Sequence, residues 1–214
     1  LQPGWTDRWS RFRMFLFRCR MPPPYLDGRA VTSSGQTSRI FVGRQREMGE
    51  LRAALKESFA GHGRIVILMG EPGIGKTRTA EELASHAETQ GAQVLWGRCY
   101  EEDGAPSYWP WVQAIRSYVE PRNSDQLRVD LGPNAADIAE IVPEIRRKLI
   151  DLETPPDLPP EQARFRLFES ITSFLKSLAR SKPIMLLLDD LHWADEASLL
   201  LLQFFAQQLA DSHI

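Results

Sequence analysis

Apolar residues recur at helical spacing in RQREMGELRAALKESFAG, where Met48, Leu51, Leu55 and Phe59 share a face and Gly61 marks a stop. The unbroken apolar run RIVILM follows and reads as a short buried strand. GKTRTAEELASHAETQG is again helical, apolar at Ala80, Leu83 and Ala87 and ended by Gly91, and AQVLWGRC reads as a second strand. Strand, helix and strand joined by short loops predict a parallel sheet. From about residue 100 to 160 the alternation pauses. YWPWVQAIRSYV, NAADIAEIV and PEIRRKLIDL form a helical insert, closed by the rigid TPPDLPP. EQARFRLFESITSFLKSLAR then places Phe165, Phe168, Ile171, Phe174, Leu175 and Leu178 on one face. A third strand, Ile184 to Leu188, leads to a helix from about Asp195 to Leu209. Residues 1–38 lack sustained periodicity, and MPPPYLDGRAVTSSGQTS is rich in Pro, Gly, Ser and Thr. The expected organisation is a disordered or linker-like extension over 1–38 and one α/β domain over 39–214. Within that extension, Leu1 opens the chain and Met21 is a candidate start.

Composition narrows the class. Apolar residues make up 43% and charged residues 25%, with a formal net charge of −2. That balance is ordinary for a globular domain and gives no basic field for nucleic acid. Cys19 and Cys99 are the only cysteines, too few for a disulfide framework or a zinc site, which points to a reducing cytoplasm. No run approaches the ~18 apolar residues of a membrane span. The arginine-flanked core Met14 to Phe17 is shorter than the ~7–15 residues of a signal-peptide core.

The strand RIVILM runs into GEPGIGKT, a G-x-x-x-x-G-K-T phosphate loop with its strand before and helix after. Gly70, Gly73 and Gly75 let the backbone wrap so that amide N–H groups face a polyphosphate, and the helix N-terminus adds its dipole. The candidate nucleotide contacts are Gly70, Glu71, Pro72, Gly73, Ile74, Gly75, Lys76, Thr77 and Arg78. Lys76 is placed to reach the β- and γ-phosphates, and the Thr77 hydroxyl is a candidate Mg²⁺ ligand.

The third strand raises a question of its own: five apolar residues end in Asp189 and Asp190. Adjacent carboxylates repel and lose hydration when covered, so something must hold them. A magnesium ion beside the phosphate loop answers this, with Asp189 as the carboxylate that holds it, usually through water. Asp190, one residue on, is either the group that orients or deprotonates an attacking water, or a loop-start acid or helix cap.

FVGRQREMGEL, GEPGIGKTR, LWGRCYEEDGAPSYWPWVQAIR, ARFRLFESI and LLLDDLHWADEASLLLL together resemble the AAA-type ATPase module of STAND signalling NTPases, found in large LuxR-type transcriptional regulators and some nucleotide cyclases. The resemblance runs from about Ile40 to the C-terminus. It implies ATP and Mg²⁺, slow hydrolysis to ADP and phosphate, and ligand-driven assembly. It also implies that Val42, Gly43 and Arg44 lie against adenine, with Gln45 where Glu is more usual. His192 and Trp193 match the family's H-W pair and are expected as packing residues, the histidine buried and hydrogen-bonded. Trp109 and Trp111 are expected in a local core, and Arg164 and Arg166 on a solvated helix face.

The resemblance further implies the sheet order five, one, four, three, two, of which this chain supplies strands one, two and three. The fold class is therefore a P-loop NTPase, a parallel sheet flanked by helices with a helical insert, incomplete at the C-terminus. Either a gap or direct pairing is expected between the strands at Ile65 and Ile184. Three functions follow: a nucleotide-controlled switch in a transcriptional regulator, an accessory ATPase of a cyclase, or an ATP-binding scaffold with little turnover. In each, the output domains lie outside this segment, and the segment itself contacts neither nucleic acid nor membrane.

Overall fold

The computed structural model describes residues 14–18, as backbone, together with 44–101 and 104–214. Strand β1 is Met14–Arg18 and helix α1 Gln45–Phe59. Then come β2 (Ile65–Met69), α2 (Lys76–Thr89) and β3 (Gln93–Arg98). The insert contributes α3 (Trp109–Val119), α4 (Ser124–Leu131), α5 (Ala135–Ile138) and α6 (Glu144–Lys148). The long α7 (Pro160–Ser181), β4 (Ile184–Asp189) and α8 (Glu196–Gln207) complete the order.

The strands pair in two parallel ladders. β1 runs beside β2 from Met14 opposite Ile65 to Arg18 opposite Met69. β3 runs beside β4 from Gln93 opposite Ile184 to Arg98 opposite Asp189. The linker-like reading of 1–38 therefore does not hold at Met14–Arg18, where a short apolar run long enough for a strand meets the edge of β2.

Among the described residues no ladder joins β2 to β4, so the gap, rather than direct pairing, is what the fold adopts. An apolar cavity of about 180 Å³ lies there, lined by Ile65, Ile67, Leu186, Leu188 and Ile214 among others. At its foot the Ile214 carbonyl accepts from Arg64 N–H at 3.0 Å, and the His213 carbonyl accepts from Ile184 N–H at 2.9 Å. Successive carbonyls thus turn to opposite neighbours, as they do along a strand.

The main core lies on the β3–β4 side. Trp111, Ile115, Phe174 and Leu175 are fully buried there, each such side chain worth about 1.5–3 kcal/mol. Trp111 meets Phe205, and Tyr118 meets Phe174, edge to face at 5.5 Å. A smaller cluster, Met48, Leu51 and Leu83, packs α1 and α2 against Val66 and Leu68 of β2.

The long helix departs from its pattern at one end. Phe165 is exposed, while Arg166 turns inward. Its Nε donates to Asp137 Oδ2 at 2.9 Å, and Ser170 Oγ donates to the same oxygen at 2.8 Å. A buried carboxylate needs such partners, which corrects the solvated reading for Arg166. Arg164 is exposed, in line with that reading.

Candidate functional site: a phosphate loop facing two acids

β2 ends at Met69 and α2 begins at Lys76, so Gly70 to Gly75 form the connection. Gly73 (φ 75°) and Gly75 (φ 90°) both take left-handed backbone, which costs a glycine nothing. A Cβ on Gly73 would meet nothing within 4 Å, so the loop's face is open there. The Lys76 ammonium folds over its own loop and donates to the carbonyls of Gly70 at 3.0 Å and Glu71 at 3.2 Å. Glu71 and Pro72 are exposed and Ile74 half-buried. Arg78, one turn into α2, points outward and pairs with Glu81.

Arg44 works on the loop from outside. At φ 60° it precedes α1. Its guanidinium donates to the Ile74 carbonyl and, at 3.1 Å, to Thr79 Oγ1. Thr79 Oγ1 in turn donates to the Gly75 carbonyl at 2.9 Å. The side chain thus braces the loop's last turn. Val42 and Gly43, its predicted companions, lie outside the described residues.

The acids come to this loop from β4. The Thr77 hydroxyl donates to Asp189 Oδ2 at 3.2 Å, across 112 positions of chain. Oδ1 of the same carboxylate accepts the Asp190 backbone N–H at 3.0 Å. Asp190 sits at φ 56°, a left-handed conformation uncommon outside glycine but tolerated by Asp, and its carboxylate is half-exposed.

What holds the two acids is a residue the sequence did not single out. Arg98, last in β3, lies opposite Asp189 in the ladder. Its Nη2 donates to Asp189 Oδ2 at 2.9 Å, and its Nε stands 4.0 Å from Asp190 Oδ2. The hydrogen bond to Asp189 raises the Arg98 pKa above its ordinary value, with both carboxylates adding to the effect against a smaller cost of burial. The ladder register was the signal that could have found it, because a charge ending the second strand faces a charge ending the third. Behind it, burial and the carboxylates of Asp195, Asp190 and Asp189 push the Cys99 thiol up to about 12. Cys99 is an inert buried thiol.

Past the acids, His192 and Trp193 form a short 3-10 turn. His192 is exposed, its ring tilted against Trp193 with centroids 4.9 Å apart, so the expected buried histidine is not found. Both rings are exposed, and Asp195, two residues on, caps α8. Its carboxylate accepts Ser198 N–H at 2.9 Å and Ser198 Oγ at 2.5 Å. Of the two tryptophans, Trp111 is wholly buried and donates to the Ser198 carbonyl at 3.2 Å. Trp109 carries the Arg116 guanidinium over its ring at 5.3 Å.

An open glycine-rich loop at a helix N-terminus, a lysine across it and a carboxylate meeting the loop's threonine make a nucleotide site. The family model described as AAA ATPase domain matches residues 40–214. The chain belongs to the AAA ATPase domain family. An uncharacterized protein of Rhizobium meliloti (strain 1021) is 22% identical over 179 residues, 77% of this chain, and the chain spans only 17% of that relative's length. No solved structure gives a significant match. As an AAA ATPase domain the chain is an ATP-binding P-loop module of a family that typically uses Mg²⁺. None of the described helices is long and apolar enough to cross a membrane.

The AAA ATPase site fits Mg-nucleotide on its own chemistry. Mg²⁺ favours one or two oxygen ligands from protein with phosphates and water supplying the rest, and the Thr77 hydroxyl and Asp189 carboxylate already converge. The buried Arg98 Nε has no hydrogen-bond partner among the described residues, so polar capacity remains beside the acids. When bound, the ion would neutralise phosphate charge. In that arrangement the loop amides would wrap the phosphates, Thr77 and Asp189 would hold the ion, and Asp190 would stand at its edge.

Proposed function

We propose that this domain is a nucleotide-controlled switch, in which Mg-ATP is clasped between the Gly70–Thr77 loop and the tip of β4 and slowly hydrolysed. The observation that carries the reading is the meeting of Thr77 Oγ1 with Asp189 Oδ2 at 3.2 Å, which puts a hydroxyl and a carboxylate from distant strands on one point. Lys76 is the catalytic cation on the β- and γ-phosphates. Asp190 is the group that orients or deprotonates water, and its half-exposed position beside Asp189 supports that role. Gly70 through Arg78 line the nucleotide through their backbone, the Arg78 side chain being turned to Glu81, while Arg44 acts on it through the loop it braces.

The switch belongs to a larger signalling protein in this reading. The small share of the Rhizobium relative that the chain spans is in keeping with further domains. A LuxR-type regulator is the preferred setting and a nucleotide cyclase the alternative. The slot between β2 and β4, with two carbonyls already alternating at its foot, supports an ATPase core that takes one more strand.

The test is thermal. ATP with Mg²⁺ at 100 times Kd should stabilise the protein by about 2.7 kcal/mol, with phosphate released slowly in a coupled assay. A melting curve indifferent to ATP at millimolar concentration would remove the proposal. Stabilisation without any phosphate release would leave the scaffold reading in its place.

A further inference from the structure

One oxygen of this site is contested. Asp189 Oδ2 accepts from Thr77 and from Arg98 at once, at 3.2 and 2.9 Å, while Oδ1 is taken by the Asp190 backbone. A guanidinium on Oδ2 and a divalent cation drawing on the same oxygen, directly or through its bound water, compete for it, because like charges a few ångströms apart repel strongly where water is scarce. The Asp189 side chain is only 15% exposed, so screening is weak there.

Arg98 is also held where it stands. Its backbone N–H donates to Gln113 Oε1 at 3.0 Å, and Gln113 Nε2 donates back to the Arg98 carbonyl at 3.2 Å. The next residue, Cys99, donates its N–H to the Asp189 carbonyl at 3.0 Å. The strand end is thus pinned on both sides, so the long side chain must do any moving. At 43% exposure it has room to swing outward, giving up its Nη2 bond to Asp189 and the looser Nε pairing with Asp190.

We propose that Arg98 is a built-in competitor for the metal, a tethered cation that occupies the Asp189 oxygen the magnesium needs and must leave before Mg-nucleotide can be held. The proposal rests on the nucleotide reading above and adds a control to it. Arg98 offsets part of the charge of the two acids at the strand end, and the same pairing sets how much magnesium is needed to load the site. Arg98 is a positioning residue in this account, acting through Asp189.

The test follows the magnesium and not the turnover. The full chain is mixed with a fluorescent ATP analogue in EDTA, and MgCl₂ is titrated while polarisation is read. Arg98→Gln should lower the half-saturating magnesium concentration about tenfold, the size expected from losing one charge-assisted hydrogen bond. Arg98→Lys, which keeps a charge but not the fork, should lower it by less, and it carries the test if the glutamine variant does not fold. A midpoint equal to wild type in both variants makes the contact a plain strand-end ion pair and overturns the proposal. A raised midpoint does so too, since Arg98 would then be helping to hold the complex. If the wild type binds no analogue at any magnesium concentration, the nucleotide reading itself fails, whereas wild-type binding with unchanged variants sinks the competitor alone.

Discussion

Gly97 and Pro110 meet backbone to backbone: a Cβ on Gly97 would lie 1.8 Å from the Pro110 carbonyl oxygen. The absent side chain lets the first turn of α3 close on β3, which brings Gln113 to Arg98 and so fixes the strand end beside the acids. Gly97→Ala must push α3 off the strand. The expected cost is about 1–3 kcal/mol of overpacking, seen as a melting temperature several degrees lower, and looser nucleotide binding should accompany it. A variant as stable as wild type would mean that the helix shifts freely.

Lys76→Ala removes the ammonium that bridges the loop carbonyls of Gly70 and Glu71. The folded protein should lose little stability, because the amine is exposed. Its melting temperature should, however, stop responding to ATP. Calorimetric binding at wild-type affinity would count against the lysine as a phosphate ligand.

Asp190→Asn should leave analogue binding within a few-fold of wild type and slow phosphate release by about 10²–10⁴-fold, the usual contribution of a positioned acid–base group. The amide keeps the shape but cannot take a proton. Unchanged release rates would reduce Asp190 to a loop-start acid.

Cys99 gives a pH signature. Its folded pKa is raised from an ordinary 9.0 to about 12, chiefly by burial. The folded state therefore keeps its thiol proton where the unfolded chain has lost it. That contribution to stability is whole below pH 9 and lost as pH rises towards 12. Urea melts of Cys99→Ala against wild type should converge in slope with pH below 9 and differ above it. Peptide mapping after iodoacetamide at pH 8 should find Cys99 unmodified in the native protein.

Elements with strong local patterns were legible in the sequence. Ala80, Leu83 and Ala87 are buried along α2 as their spacing required, and Gly91 follows it at φ 88°. The phosphate loop was readable because its chemistry is carried by consecutive residues. Contacts that depend on register between distant strands were not readable. Arg98 looks like any charge ending a strand until β3 is laid beside β4. Phe165 fits the apolar stripe of α7 but sits in its first turns, beyond the core, with its edge against Phe204. His192 was expected to be buried from its place in the H-W pair, yet it lies exposed in the short turn before the Asp195 cap. The Asp137 pocket needed Arg166 and Ser170 from a helix about thirty residues away.

The second edge of β4 has one backbone partner at its foot, the His213 carbonyl, and no strand beside it among the described residues. Bare strand edges are templates for a stranger's backbone. Isolated in solution, such a domain is expected to turn stickier as it is concentrated and to trap short apolar peptides lengthwise. Its shelf life would then hinge less on the strength of its core than on whatever extended chain reaches that edge first.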